Sequence, residues 1–203
     1  MAQKVVVFID YQNVKEDARR AFYEPSDFHT RGQFDPLNYG KLICSKKPKR
    51  KLKEVRVYTG LPASSKDPQG YAARRRQIAY WKKIGVTVKP RTLRYPPGWP
   101  DDPEHEKGVD VALAVDFVAM AVREEYDIGV ISTTDTDLRP AIEFVATLDN
   151  VIAEEAAWWN GFQKQLSLPE SHVWCHRLNK EDYEFAADFR DYNLSDKEIA
   201  EGR

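Results

Sequence analysis

Residues 4–13 read KVVVFIDYQN. The run from Lys4 to Ile9 is β-branched and almost continuously apolar, so as a strand it must be covered on both faces, which puts it at the centre of a parallel sheet. Asp10 stands where that strand ends. Beyond it, DYQNVKEDARRAFY reads as a helix, and the segment from Pro36 to Cys44 as another, with proline in its first turn.

The same alternation continues along the chain. EVRVYT at 54–59 reads as a second strand, Tyr71 to Ile84 as a helix closed by Gly85, and Val86 to Val88 as the start of a third strand. Pro90 to Lys107 is rich in Pro, Gly and Asp and reads as a loop bordering a site. VDVALAVDFVAMAV at 109–122 is apolar almost all round, which predicts a helix buried between layers. Asp127 to Ser132 makes a fourth strand, Leu138 to Leu148 a helix, and Val151 to Ala153 a fifth strand. Strands alternating with helices predict a doubly wound α/β sheet. Its ligand site is expected outside the carboxyl ends of the strands, where strand order reverses.

Residues 132–140, STTDTDLRP, follow the buried run Ile128 to Ile131 and carry two carboxylates, Asp135 and Asp137. On an extended segment, side chains two apart share a face, so these acids repel each other unless a cation neutralises them. A divalent ion would do so. The competing reading is a helix N-cap with a second acid complementing the helix dipole. If the first and fourth strands are neighbours, Asp10 and Asp135 meet at one sheet edge.

Asp110 and Asp116 are the only ionisable residues of the apolar helix, and buried acids need partners. Asp110 could cap the helix behind Gly108, and Asp116 could pair with a lysine or arginine from the basic helix. A strand from Asp127 to Thr133 climbs about 20 Å, and a helix returning that height needs roughly 13 residues. Counting back from Glu124 lands near Asp110, with Asp116 lower and about 120° around the helix.

Together FIDYQN, KGVDVALAVD and STTDTDL resemble the NYN domain family, the PIN-like nucleases that include LabA-like bacterial proteins. Such proteins show F-x-D-x-x-N, then K-x-x-D with a second acid further along the helix, then S-G-D-x-D-F-x-P. Matched position by position, the resemblance implies Asp10 and Asn13 from the first motif, Lys107, Asp110 and Asp116 from the second, and Asp135, Asp137 and Pro140 from the third. Thr134 stands where the family has glycine, and Leu138 where it has phenylalanine. The family's spacing favours Asp116 as the helix ligand, whereas the geometric estimate favours Asp110.

The resemblance implies a PIN-like three-layer α/β/α fold with a mostly parallel sheet. It spans residues 1–178 as one domain, with 179–203 a C-terminal helix or tail packed on it or partly loose. It also implies a metal-dependent nuclease, for RNA in preference to DNA, with Asp10, Asp110, Asp116, Asp135 and Asp137 as ligands. A cluster of aspartate oxygens without thiolate or imidazole selects Mg²⁺ or Mn²⁺ over zinc. Asn13 would hold Asp10 or a phosphate, or merely cap the next helix. The alternative is a non-catalytic RNA- or protein-binding module of the same fold. A dehalogenase-like phosphatase would need an acid at Gln12, and a D-x-D glycosyltransferase leaves Asp10 unused.

The remaining features set bounds. At 203 residues and net charge −1, the chain can bury a real core and carries no global basic field. Its basic stretches are KKPKRKLK at 46–53 and RRR at 74–76, with Tyr71, Tyr80 and Trp81 nearby; either could contact RNA or be a solvated face. The two cysteines, Cys44 and Cys175, suggest reduced thiols and a cytoplasmic location. His172, Cys175 and His176 form half of a zinc pattern without a second ligand pair. No apolar run reaches membrane-spanning length, so no membrane partner is expected. Trp158, Trp159 and the tail from His172 onward read as extra core in preference to a lid or a homodimer surface.

Overall fold

The computed structural model describes residues 2–161, 173–195 and residue 198. The strands are β1 (Gln3–Asp10), β2 (Arg50–Leu61), β3 (Thr87–Thr92), β4 (Ile128–Ser132), β5 (Ile152–Trp158) and β6 (Trp174–Leu178). They form one parallel sheet in the order β3-β2-β1-β4-β5-β6. Val5 to Ile9 of β1 are fully buried, as a central strand covered on both faces requires. Each such side chain contributes about 1.5–3 kcal/mol relative to exposure.

Two apolar layers sandwich the sheet. Helices α1 (Tyr11–Phe22), α2 (Pro36–Ser45), α3 (Pro68–Lys83) and α6 (Lys180–Ala186) cover one face, where Tyr11, Tyr39, Trp81 and Tyr183 pack on Val5, Val7 and Ile9. Helices α4 (Val109–Val122) and α5 (Arg139–Ala146) cover the other, where Leu113, Phe117 and Ile142 pack on Val6 and Phe8. The architecture is the three-layer, PIN-like α/β/α sandwich.

The chain leaves β1 toward β2 across one face and reaches β4 across the other. Strand order therefore reverses between β1 and β4, which pair from Val5↔Ile128 to Ile9↔Ser132. A crevice opens there at the carboxyl ends of the strands. Local sequence fixes what surrounds it. Asp10, Asp35 and Asp67 each cap the helix that follows, and Pro36 and Pro68 occupy first-turn positions where a missing N–H costs nothing.

The exposed face of α4 and the strand β6 differ from expectation, whereas Trp158 lies in the core as expected. Helix α4 is not enclosed between layers: Leu113 and Phe117 face the sheet, but Val111, Val115 and Val122 are more than half exposed. An all-round apolar pattern does not show which side the fold leaves uncovered. The chain from Trp174 onward forms an edge strand and then α6, while Trp158 is core and donates from its indole to the Val14 carbonyl at 3.0 Å. Trp159 lies under the Arg177 guanidinium, 4.8 Å from the ring centre.

The Pro90–Lys107 stretch completes β3 and then forms the expected loop, drawn together where Arg94 and His105 exchange backbone hydrogen bonds of 2.9 and 3.0 Å. Cys44 and Cys175 are free thiols. The zinc pattern does not assemble from its described members: Cys175 and His176 are successive on β6 and point to opposite faces, and His176 bonds Glu154 at 2.8 Å. His172 lies outside the described residues. Among the described residues, no helix is long and apolar enough to cross a membrane.

Candidate functional site

Asp10, the last residue of β1, is buried and accepts a hydrogen bond from the Asn13 backbone at 3.3 Å as the N-cap of α1. Across the crevice, β4 ends at Ser132, and Asp135 caps a short 3₁₀ turn (Thr136–Leu138), accepting from the Asp137 backbone at 3.0 Å. The capping reading of TDTD is thus realised. Each acid caps with Oδ1, and neither Oδ2 has a hydrogen-bond donor among the described residues.

Because 135–138 turn instead of extending, Asp135 and Asp137 do not share a face in the way an extended segment would impose. Asp137 is exposed on the turn.

The helix acids separate. Asp110 lies in the first turn of α4 without capping it, since the cap position is Gly108 at φ 76° with no side-chain bond. Asp116 sits six residues further down and accepts from the Tyr58 hydroxyl at 2.7 Å, with the Arg56 guanidinium at 3.4 Å and Lys89 at 4.0 Å. Asp116 thus has basic partners, but they come from β2 and β3 and not from the basic helix. Helix geometry had placed Asp110 at the crevice, and Asp110 is the one whose charge acts on Asp10.

That action is visible in the Asp10 carboxyl, which is pushed up to about 7. Burial is the largest cause, followed by the negative charges of Glu106, Asp135 and Asp110, against a lowering by the Asn13 backbone bond. Four acids from four segments thus converge: the ends of β1 and β4, the start of α4, and the loop before it.

Glu106 was not singled out from sequence. It lies in a loop where acids are ordinary, and its distinguishing contact is long-range: it accepts from the Gly60 backbone at 2.5 Å. Burial and Asp110 raise its pKa, while the Gly60 bond and Arg74 lower it. A Cβ at Gly60 would meet the side-chain ends of Glu106 and Leu93, so a larger residue there would displace Glu106 from this position.

Asn13 does not hold Asp10 through its side chain. Its Oδ1 accepts from the Thr134 backbone at 2.8 Å and from the Thr134 hydroxyl at 3.0 Å, and the same hydroxyl lies 2.9 Å from Asp17. Asp17 also pairs with Arg20.

The two basic stretches lie at opposite ends of the sheet. Asp10 is in register with Tyr58, eight residues along β2 from Arg50, so Arg50 sits about 26 Å from the crevice. There Lys46 pairs with Asp182, and Lys47 and Arg50 pair with Glu154. The 74–76 segment lies on α3 at the crevice end, where Arg74 acts on Glu106. Trp81 is core.

A family model for the NYN domain matches residues 4–156. The chain belongs to the NYN domain family. Membership places it among proteins of PIN-like, nuclease-type fold. The matched region contains all four converging acids. Among solved structures, this NYN domain is similar to VPA0982, a protein of unknown function from Vibrio parahaemolyticus RIMD 2210633. The TM-score is 0.58 at 16% identity, over 89% of this chain and 95% of that one, a likeness of fold. No curated protein matches the chain. Neither comparison lends support to a homodimer.

The residues present suit a hard divalent cation. The cluster offers only carboxylate oxygens, most of them without hydrogen-bond donors among the described residues, and a carboxyl raised by burial and by like charges is one that a cation would return to its ionised form. Among the described residues, no three such side chains are yet drawn to coordinating distance, and uncompensated carboxylates repel one another.

Proposed function

We propose that this NYN domain is a Mg²⁺- or Mn²⁺-dependent endonuclease acting on single-stranded RNA in preference to DNA. The observation that carries the reading is the convergence of Asp10, Glu106, Asp110 and Asp135 on one crevice, read out in the raised Asp10 carboxyl. Asp10, Asp110 and Asp135 would hold the ion, with Glu106 completing or bordering the set. When bound, the ion would polarise the phosphodiester and lower the pKa of an attacking water.

The chain's own groups do the rest. Asp137, exposed beside Asp135, would orient water or take its proton. Asn13 holds the β4 turn in place through Thr134 and so sets the position of Asp135 relative to Asp10. Asp116 belongs to the Tyr58–Arg56 pair and supports α4 without touching substrate.

Unpaired bases find aromatic surface at the same end of the sheet. The loop after β3 sets Tyr95 and Trp99 edge to face, ring centres 5.5 Å apart, with Lys66 5.2 Å from the Trp99 ring centre. Tyr95 is tied to the end of β2 by a 2.9 Å bond from the Ala63 backbone. Such faces stack bases without demanding a sequence. The free thiols suit a cytoplasmic setting.

A second reading has its own observation. Thr134 replaces the family's glycine and is hydrogen-bonded on both backbone and hydroxyl, so the turn could serve a binding module that does not cleave. Purified protein on labelled single-stranded RNA and DNA, with Mn²⁺, Mg²⁺ or EDTA, separates the two. Metal-dependent cleavage lost in Asp10→Asn and Asp110→Asn supports the nuclease; cleavage surviving in both variants excludes this site, and binding without cleavage favours the module.

A further inference from the structure

Next to the acid cluster, and sharing Arg74 with it, lies a cleft of about 200 Å³ between α1, α3 and the chain at 191–193. Arg74 forms the common wall: on one side its charge acts on Glu106, and on the other it lines the cleft with Lys15, Gln33 and Gln77. Pro62, two residues beyond the Gly60 that holds Glu106, continues the same rim.

The partners of Arg74 are unusual for a deep-set guanidinium. It donates to the Gln77 side-chain oxygen at 2.8 Å and to that of Gln12 at 3.5 Å, and lies 5.7 Å from the Tyr11 ring centre. Among the described residues, no carboxylate forms an ion pair with it. Neutral amides hold the fork in place without cancelling its charge. Lys15 faces the same space with its side chain 22% exposed, and its nearest acid, Glu16, stands 3.9 Å away. Its pKa is lowered by burial first, against a rise from Glu16, and further by repulsion from Arg74 and Arg19.

The acids and histidine that border the cleft are engaged with each other and with its wall. Asp191 bonds His29 at 3.2 Å and the Asn193 backbone at 2.9 Å, and Arg76 ties the Tyr192 and Asn193 carbonyls to α3. Two cations held toward one cavity, at a cost in mutual repulsion, are what an anion would relieve.

We propose that this cleft is a phosphate subsite in which Arg74 and Lys15 grip a phosphate of the bound nucleic-acid strand neighbouring the one presented to the acids. The proposal rests on the nuclease reading for the identity of its ligand. It gives a polyanion that the carboxylates repel a fixed point of attachment, and it sets the direction in which the strand leaves the crevice, along α3 and away from α4.

The test reads binding without cleavage: anisotropy of a short fluorescent single-stranded RNA in EDTA, over a series of salt concentrations, with a 5′-phosphate or a 5′-hydroxyl end. The proteins are wild type, Arg74→Gln, Lys15→Met and the remote surface variant Arg123→Gln. Arg74→Gln and Lys15→Met are each expected to weaken binding by roughly threefold to tenfold and to lower the salt slope by about 0.7, while Arg123→Gln changes neither. Dependence with both RNA ends assigns an internal phosphodiester, and dependence with the 5′-phosphate alone assigns a terminal phosphate.

Should Arg74→Gln fail to fold, as judged by circular dichroism, the partly exposed Lys15 carries the comparison. Wild-type affinity and salt slope in a folded variant overturn the subsite, as does a wild type that does not bind RNA. Wild type that cleaves with Mn²⁺ while both variants bind and cleave normally removes the subsite and leaves the nuclease. Arg74-dependent binding without any cleavage keeps the subsite and removes the nuclease.

Discussion

The side-chain oxygen of Asn13 accepts a hydrogen bond from the Thr134 backbone nitrogen at 2.8 Å, and the single Thr134 hydroxyl proton is shared between that oxygen at 3.0 Å and Asp17 at 2.9 Å. Residues 121 positions apart are thereby clamped across the point where strand order reverses. Asn13→Ala removes the acceptor and leaves the Thr134 N–H without its partner, which is expected to cost about 1–3 kcal/mol. Thr134→Val keeps the backbone bond and should cost less, about 1 kcal/mol. Urea unfolding of the two variants checks the order; equal losses would mean that the backbone bond contributes nothing.

At the other end of the sheet, Glu154 is almost fully buried and bonded by Arg50 at 2.7 Å, Lys47 at 3.0 Å and His176 at 2.8 Å. Burial alone would raise its pKa, but these donors overcome that and hold the carboxyl far below the usual range. A depressed folded pKa means stability that is present above the unfolded value, 4.5, and is lost as pH falls below it. Glu154→Gln strands a buried guanidinium and is expected to cost about 3–5 kcal/mol at pH 7. Its unfolding free energy should also fall less steeply than wild type as the pH is lowered through 4. Parallel profiles would show that Glu154 does not set acid stability.

These two clusters show why the sequence was legible unevenly. β1, β4 and α4 announce themselves because their apolar runs are long and uninterrupted. β6 does not, because WCHRL places His176 inward, and that placement makes sense only once Glu154, 22 residues earlier, lies diagonally across from it on β5. Asp10, Asp110 and Asp135 could be found from strand ends and helix phase. Glu106 could not, since its contact with the Gly60 backbone leaves no local pattern. Charge runs mislead for a related reason: 46–53 and 74–76 look alike as sequence, and only the direction of β2 and α3 assigns them to opposite ends.

Asp110 and Asp116 make a paired test of helix phase. Asp116 is occupied by the Tyr58 hydroxyl and Arg56, whereas Asp110 acts on Asp10. Asp110→Asn is expected to lower metal-dependent cleavage by about 100-fold or more with little change in thermal stability. Asp116→Asn still accepts from Tyr58 and leaves Arg56 paired with Glu54 alone, so it should cost about 1 kcal/mol and alter cleavage by less than about threefold. The reverse pattern in initial rates and melting temperatures would assign the helix ligand to Asp116.

Asp10 turns the acid cluster into a pH-dependent source of instability. Its carboxyl is raised from 3.8 to about 7, so the folded chain binds a proton that the unfolded chain has already released. Folding stability from this group is therefore complete below pH 3.8, declines as pH rises toward 7, and stays at its reduced level above that. The full shift sets an upper bound of about 4 kcal/mol. Asp10→Asn keeps an acceptor for the Asn13 backbone but cannot ionise. The variant should accordingly gain stability over wild type at pH 8, and the gain should shrink toward pH 4. Mn²⁺ should reverse the comparison at pH 8, because an ion held by an ionised Asp10 stabilises only the folded wild type. Melting curves of both proteins at pH 5 and pH 8, with and without Mn²⁺, check each step. Equal Mn²⁺ stabilisation of the two would remove Asp10 from the ligand set even if the pH profile were as expected.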